Sequence, residues 1–213
     1  MKFFYISKST FFTYLLIFCF CAILSNIYFL FLWIALFGVT LFLFRKKKIN
    51  HLEDQITTQG TIFAPVSGSV FDIWVDDSGD TNVTLLTNLF DHYGIYMPCS
   101  GSVVDLSFFK DQYIYRVFNR DTYKKDKAIA KIIVKDSLEN EIEMSFIRFF
   151  TSRRPELVVL PGDKGRRMAN LGYIPFGGLT TIRIPEKYEV VVSNNDNVYA
   201  TDSIIARISS IDK

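Results

Sequence analysis

An uncharged stretch from Phe11 to Phe44 is the feature that most restricts how this chain can fold. At about 1.5 Å per residue a single helix over this whole stretch would measure roughly 50 Å, whereas the hydrocarbon core of a bilayer is about 30 Å thick. The polar pair Ser25-Asn26 divides the stretch. We therefore predict a transmembrane helical hairpin with helices at about 11–25 and 27–44, which form a membrane anchor over residues 1–48.

Charges are distributed unevenly along the chain. Residues 1–52 contain six Lys or Arg and no Asp or Glu, whereas residues 53–213 contain 18 basic and 22 acidic residues. Cations on both flanks of the apolar stretch predict that both of its ends lie in the cytoplasm, so we expect the cytoplasmic (inner) membrane with the globular domain on the cytoplasmic side. A single tilted span is the alternative. A mildly acidic body does not indicate a nucleic-acid surface.

Cysteine and histidine are too few and too scattered for a metal centre. Cys19 and Cys21 lie in the apolar stretch and Cys99 lies alone, and the two histidines are His51 and His92. Neither a disulfide framework nor a zinc site follows from this spacing. We expect no metal.

The rest of the chain is predicted to be mainly β, after a polar linker at 49–60. Short apolar runs are separated by Gly, Pro, Asn and Asp throughout 61–213. Residues 83–86 have the composition of a strand, and 128–134 and 141–150 alternate apolar and polar residues around a polar turn, which predicts an antiparallel hairpin.

An internal repeat supports the β prediction. Ala64–Ile73 recurs further along the chain as Met97–Leu106, and both copies contain Pro-x-Ser-Gly-Ser-Val-x-Asp. Each copy places a turn with Pro and Gly before an alternating strand. Such turns are typical of flattened β-sandwiches of the biotinyl/lipoyl type, although they can also serve the fold alone. Asp196–Ala206 is a looser third element.

Five short blocks occur in a characteristic order. They are Leu43-Phe44-Arg45, Ala64-Pro65-Val66-Ser67-Gly68, the segment from Phe90 to Gly101, Ser152-Arg153-Arg154, and the run from Gly162-Asp163 through Gly172 to Phe176-Gly177-Gly178. Together they resemble the phosphatidylserine decarboxylase family in its short bacterial form, over roughly residues 44–208. The resemblance implies a decarboxylase-like β-sandwich domain at 61–213 and a link to phosphatidylethanolamine synthesis.

Active members of that family cut themselves before a serine and convert the new end into a pyruvoyl cofactor. The resemblance maps this serine to Gly178, an aspartate to Ser67, and two histidines to Tyr93 and Tyr96. Glycine has no hydroxyl, and a tyrosine with a pKa near 10 is a poor base at neutral pH. We therefore predict a degenerate member in which no pyruvoyl cofactor forms.

Two residues are weaker candidates for retained chemistry. His92 lies one place before Tyr93, which on a strand would put it on the opposite face. Thr180 could in principle act as a substitute nucleophile, but its alternation with Ile182 fits an ordinary strand residue. These residues keep open the alternative of an active decarboxylase that uses a non-standard residue.

Two arginine pairs, Arg153-Arg154 and Arg166-Arg167, are candidates for binding a lipid head group. Arginine suits phosphate because its planar fork bonds two oxygens, and the predicted membrane offers anionic phospholipids as partners. The alternative is exposed surface arginine with local ion pairs. A non-catalytic membrane adaptor on a β-sandwich scaffold is the remaining functional hypothesis, and no protein partner is indicated.

Overall fold

The computed structural model describes residues 8–23, 27–45, 60–114 and 128–208. The chain divides into two compact units, Met1–Lys47 and Lys48–Lys213. The predicted linker lies outside the described residues apart from Gly60.

The first unit contains two helices, α1 (Lys8–Ile23) and α2 (Ile27–Leu43). They contact each other through Tyr14, whose hydroxyl forms a hydrogen bond of 2.9 Å with Thr40 Oγ1. The indole nitrogen of Trp33 donates to the Tyr14 carbonyl at 3.1 Å, and the two rings lie 5.2 Å apart. Most other apolar side chains of the pair are exposed.

The predicted transmembrane hairpin is not supported. The apolar stretch does form helices close to the predicted positions, but its division leaves them with 16 and 17 residues. Such helices measure about 24–26 Å. Within the described part of the chain, no helix combines the length and the apolar character that a bilayer crossing requires.

The second unit is mainly β, as predicted. Its strands are β1 (Thr61–Phe63), β2 (Gly68–Val75), β3 (Thr81–Thr87), β4 (Gly94–Tyr96), β5 (Gly101–Phe108), β6 (Ala130–Asp136), β7 (Glu141–Ile147), β8 (Glu156–Leu157), β9 (Lys164–Gly165), β10 (Asn170–Tyr173), β11 (Gly178–Ile184), β12 (Tyr188–Val190), β13 (Asn197–Val198) and β14 (Ile204–Ile208).

Antiparallel pairing joins these strands into three sheets. The largest has the order β13-β2-β3-β11-β7-β6-β5-β9, and the smaller ones have the orders β1-β14-β12 and β4-β10-β8. The predicted hairpin is confirmed as β6–β7, in which Val134 lies opposite Ile142. Strand β11, which begins at Gly178, occupies the middle of the large sheet between β3 and β7.

The sequence repeat corresponds to a repeat of structure in β2 and β5. Each strand has a bulge at the same place, between Val70 and Asp72 in β2 and between Val103 and Asp105 in β5. The glycine that opens each strand allows the neighbouring backbone to approach closely. A Cβ atom would lie 2.1 Å from the Leu86 carbonyl oxygen at Gly68 and 1.9 Å from that of Lys135 at Gly101.

A second repeated segment pairs with each copy. The Val70 backbone nitrogen donates to the carbonyl of Asp196 at 2.8 Å, and the Val103 nitrogen donates to that of Asp163 at the same distance. Asp163 and Asp196 are separated along the chain by the same interval as the two copies of the repeat. The large sheet is therefore built from two similar halves, each of which combines an early and a late part of the chain.

Two apolar clusters fill the unit. The main cluster lies between the sheets and includes Val70, Leu85, Val103 and Ile182. A smaller cluster on the other face of β11 contains Ile114, Ile147, Phe149 and Leu179. Because residues alternate between faces along a strand, Gly178 shares the main-cluster side with Thr180 and Ile182.

Candidate functional site

A sharp turn leads into β11 at the position where the resemblance places self-cleavage. Phe176 and Gly177 both have left-handed backbone conformations, with φ of 63° and 82°. For a bulky residue such as Phe176 this conformation is strained, at roughly 1–3 kcal/mol. A side chain at position 177 would also meet the Thr87 carbonyl oxygen, 2.2 Å from its Cβ.

Gly178 has no space for a side chain. It lies opposite Thr87 of β3. A Cβ atom at this position would lie 2.7 Å from the Ile147 carbonyl oxygen and 2.8 Å from Cδ1 of Ile174. The first of these neighbours is backbone of an adjacent central strand, which cannot move without disturbing the sheet. Position 178 therefore lacks a hydroxyl and also lacks the room to hold one.

Ser67 is buried and is part of the framework beside this turn. Its Oγ accepts a hydrogen bond from the backbone nitrogen of Ala200 at 3.0 Å. Its carbonyl accepts one from the Thr87 hydroxyl at 2.9 Å. Thr87 thus connects Ser67 on one side to Gly178 on the other. The sequence prediction missed Thr87, for which the only signal was its position directly after the predicted strand at 83–86.

Tyr93 and Tyr96 are both buried. The Tyr93 hydroxyl donates to the Leu89 carbonyl at 2.5 Å, and its ring lies 6.3 Å from that of Phe176. The Tyr96 backbone nitrogen donates to the carbonyl of Pro65 at 2.9 Å, close in the chain to Ser67. The structure therefore places Ser67 and Tyr93 near the turn that leads to Gly178, whereas Tyr96 is linked to it only through Pro65. His92 is half-buried and precedes β4.

Thr180 lies inside the large sheet. It is fully buried and lies between Leu85 and Phe146 of the neighbouring strands. Its Oγ1 has no hydrogen-bond partner among the residues that the structure describes. A nucleophilic hydroxyl needs a base within hydrogen-bond reach, and this one has none there.

The first arginine pair lies beside the turn before β11. The Arg153 backbone nitrogen donates to the Pro175 carbonyl at 3.3 Å, and its side chain is exposed. Arg154 is held in place: its guanidinium lies 3.3 Å from an Asp111 carboxylate oxygen and donates to the Phe109 carbonyl at 2.9 Å. Hydrogen bonds from Arg148 and then Arg154 lower the pKa of Asp111 despite its partial desolvation.

The second pair has a different environment. Arg166 is exposed, whereas the Arg167 guanidinium lies over the Phe63 ring, 4.1 Å from its centroid. The Arg167 backbone nitrogen also donates to Ser100 Oγ at 3.0 Å. Arg167 is thus engaged in a local cation–π contact.

Two further polar residues, missed by the sequence prediction, lie near Arg153. Glu156 of β8 lies opposite Tyr173 of β10, two positions before Pro175. Burial raises the pKa of the Tyr173 phenol, and a hydrogen bond with Glu156 raises it further, while the Arg153 charge acts in the opposite direction. An exposed guanidinium and an exposed carboxylate therefore flank one phenol. This set can bind a charged ligand but contains no activated nucleophile.

No metal-binding group of three His, Cys, Asp or Glu occurs in the described ranges.

Eight curated proteins are similar to this chain. A putative archaetidylserine decarboxylase proenzyme of Methanococcoides burtonii is 25% identical over 146 residues, which are 68% of this chain and 66% of that protein. A phosphatidylserine decarboxylase proenzyme of Oleidesulfovibrio alaskensis is 26% identical over 58% of this chain and 56% of its own length. One from Chlorobium chlorochromatii is 25% identical over 82% and 84%. The matched part of the chain thus spans less than two thirds of the length of the first two relatives. No protein-family model matches it.

Proposed function

We propose that this chain is a membrane-associated, phospholipid-binding protein that does not process itself. It is a distant member of the phosphatidylserine decarboxylase family, as its sequence blocks predicted. It would act in phospholipid metabolism beside phosphatidylethanolamine synthesis. The observation that carries this proposal is position 178, where glycine stands with a backbone oxygen 2.7 Å from any added Cβ.

The residues at the site do not fit a pyruvoyl group. Formation of that group requires a side-chain oxygen at position 178, which glycine lacks. The other family positions are engaged elsewhere, since Ser67 accepts from Ala200 and Tyr93 donates to Leu89. A substitute at Thr180 is disfavoured because its hydroxyl is fully buried in the sheet, out of reach of a substrate.

The helix pair supports the membrane part of the proposal. Apolar side chains are exposed all around it, including Phe12 at 63%, Leu16 at 71% and Tyr28 at 83%. A helix that is apolar on every side requires an apolar environment. We assign this unit to lipid at the cytoplasmic membrane, with the β unit on the cytoplasmic side, because basic residues flank the apolar stretch.

Arg153 and Glu156 support binding of a head group. Phospholipid head groups of the serine and ethanolamine type carry a phosphate and an ammonium group. The Arg153 guanidinium suits the phosphate, and the Glu156 carboxylate suits the ammonium group. Both residues are exposed beside the turn at Pro175.

Intact mass of the purified full chain tests the absence of processing. We expect one species of 213 residues. Two fragments, one that ends at Gly177 and a shorter one that starts at position 178 with a blocked α-keto end, would overturn the proposal.

Flotation with vesicles tests the lipid part. Because the apolar unit binds bilayers by itself, the readout is the difference between vesicles with and without phosphatidylserine. We expect Arg153→Ala to remove most of this difference and the control Arg207→Ala, at an exposed arginine of β14, to retain it. If the wild-type chain shows no difference, or if Arg153→Ala leaves it unchanged, the adaptor hypothesis is favoured instead.

A further inference from the structure

Four large aromatic side chains are exposed on two segments of the β unit that backbone hydrogen bonds join at Ile114. Phe108 is 55% exposed, Phe109 47%, Tyr113 40% and Phe150 58%. We call these four residues the aromatic face. Single exposed apolar residues are common on protein surfaces, but a group of large ones marks an interaction site.

The aromatic face is held by specific contacts. The Tyr113 and Phe150 rings lie 5.2 Å apart. Behind them, Ile114 accepts a backbone hydrogen bond from Phe150 at 2.9 Å and donates one to Arg148 at 3.1 Å. These bonds join the segment before Ile114 to the end of β7, so the rings are presented in a fixed arrangement.

Two arginines contact residues of the aromatic face. The Arg148 guanidinium lies 5.2 Å from the Tyr113 ring centroid and forms two hydrogen bonds with the Asp111 carboxylate, at 2.8 and 3.1 Å. Arg154 forms an ion pair with the same carboxylate and donates a hydrogen bond to the Phe109 carbonyl. Exposed Lys110 adds a third positive charge. Among these described residues, three cations face one carboxylate, so their summed charge is positive.

We infer that the aromatic face docks on the interface of an anionic phospholipid bilayer. Aromatic rings favour the boundary between acyl chains and head groups, and nearby basic side chains are attracted to anionic lipid. The positive rim favours such a surface over a second copy of this chain, which would present the same charge. The inference deepens the proposed lipid-binding function and rests on it.

The position of the aromatic face relates docking to the candidate site. Ile114 and Phe149, the neighbours of Tyr113 and Phe150 in the chain, belong to the small cluster that contains Leu179. Leu179 directly follows Gly178. Docking by this face would therefore bring the end of the sheet where β11 begins toward the lipid.

Depth-dependent fluorescence quenching tests the inference on the full chain. Both native tryptophans are first replaced, by Trp33→Phe and Trp74→Phe. Reporters are then placed on the aromatic face by Phe150→Trp or, as a second variant, Phe108→Trp. Tyr199→Trp, at a position that is 60% exposed on the turn after β13, is the control. The chains are reconstituted in vesicles of phosphatidylethanolamine and phosphatidylglycerol, with and without bromine on the acyl chains.

We expect brominated lipid to quench both reporters and to leave the control unchanged. Thermal unfolding of each variant identifies any that has lost its fold. The inference is overturned if folded reporters are quenched by aqueous acrylamide but not by brominated lipid, or if reporter and control respond alike. It is also overturned if the reporter responds only to protein density in the membrane, which indicates a second copy. None of these results alters the intact mass or the effect of Arg153→Ala, so failure here is distinct from failure of the proposed function.

Discussion

Ser67 Oγ accepts a hydrogen bond from the backbone nitrogen of Ala200 at 3.0 Å. The same bond occurs in the other half of the repeat, where Ser100 Oγ accepts from the Arg167 nitrogen, also at 3.0 Å. In both halves of the repeat, therefore, the serine before the strand forms a hydrogen bond with the segment, later in the chain, that pairs with that half of the sheet. Ser67 thus has a structural role that does not depend on the family's chemistry.

Ser67→Ala is expected to lower the free energy of unfolding of the β unit by about 1–3 kcal/mol, because it removes a buried hydrogen bond from the Ala200 nitrogen. Ser100→Ala is the matched control, since Ser100 is exposed and water can replace its hydroxyl. We expect a loss of less than about 1 kcal/mol there. Denaturant unfolding of both variants measures the difference, and equal losses would contradict the assignment.

Restoring the family's serine by Gly178→Ser is expected not to restore self-cleavage. Its Cβ would lie 2.7 Å from the Ile147 carbonyl oxygen. The substitution should therefore also destabilise the β unit by about 1–3 kcal/mol. Gly178→Ala adds the same Cβ without the hydroxyl and should destabilise equally. Intact mass and thermal unfolding check both points. Cleavage of the serine variant alone would show that the remaining site is still competent.

The repeat was predictable from the sequence because its cause is local. Gly68 and Gly101 open strands where a neighbouring backbone leaves no room for a side chain, so the Ser-Gly-Ser pattern is visible in both copies. The partner segment around Asp163 was not identified, because its turn shares little beyond the aspartate with the turn at Asp196.

The apolar stretch predicted two helices close to the observed positions, but its interpretation as a transmembrane hairpin is not supported. Composition shows which residues avoid water, whereas a bilayer crossing also requires sufficient helix length, and helices of 16 and 17 residues fall short of it.

Other parts of the site depend on pairing between distant segments. Thr87 contacts Gly178 only through the register of β3 with β11, and Glu156 meets Tyr173 only through that of β8 with β10. No local pattern specifies such registers. The sequence could likewise name Arg167 as a phosphate ligand but could not show that its guanidinium lies over Phe63.

Arg167→Ala is expected to reduce stability rather than lipid binding. Loss of the cation–π contact with Phe63 should lower the free energy of unfolding by about 0.5–1 kcal/mol. Arg166→Ala, at the exposed neighbouring position, should change it by less than about 0.5 kcal/mol. Parallel unfolding and vesicle flotation separate the two effects. A loss of phosphatidylserine-dependent flotation in a stable Arg167→Ala chain would restore Arg167 as a head-group ligand.

A buried network at the β6–β7 turn should make stability depend on pH. Tyr188 donates to an Asp136 carboxylate oxygen at 2.5 Å, and the Asn140 side chain donates to the same oxygen at 3.0 Å. Burial acts to raise the pKa of Asp136, but these hydrogen bonds outweigh it and the pKa is lowered overall. A carboxyl group whose pKa is lower in the folded state contributes stability above its unfolded pKa, near 3.9, and loses that contribution as the pH falls through the folded value.

Tyr188→Phe removes the strongest of these bonds and should raise the pKa of Asp136. We expect a loss of about 1–3 kcal/mol at neutral pH, which becomes smaller over the acidic range in which the pH falls through the lowered pKa of Asp136 in the wild-type chain. Tyr199→Phe, at an exposed tyrosine, is the control and should show no such trend. Denaturant unfolding across this pH range gives the comparison, and a loss for Tyr188→Phe that is independent of pH would mean that the phenol contributes through packing and not through the carboxylate.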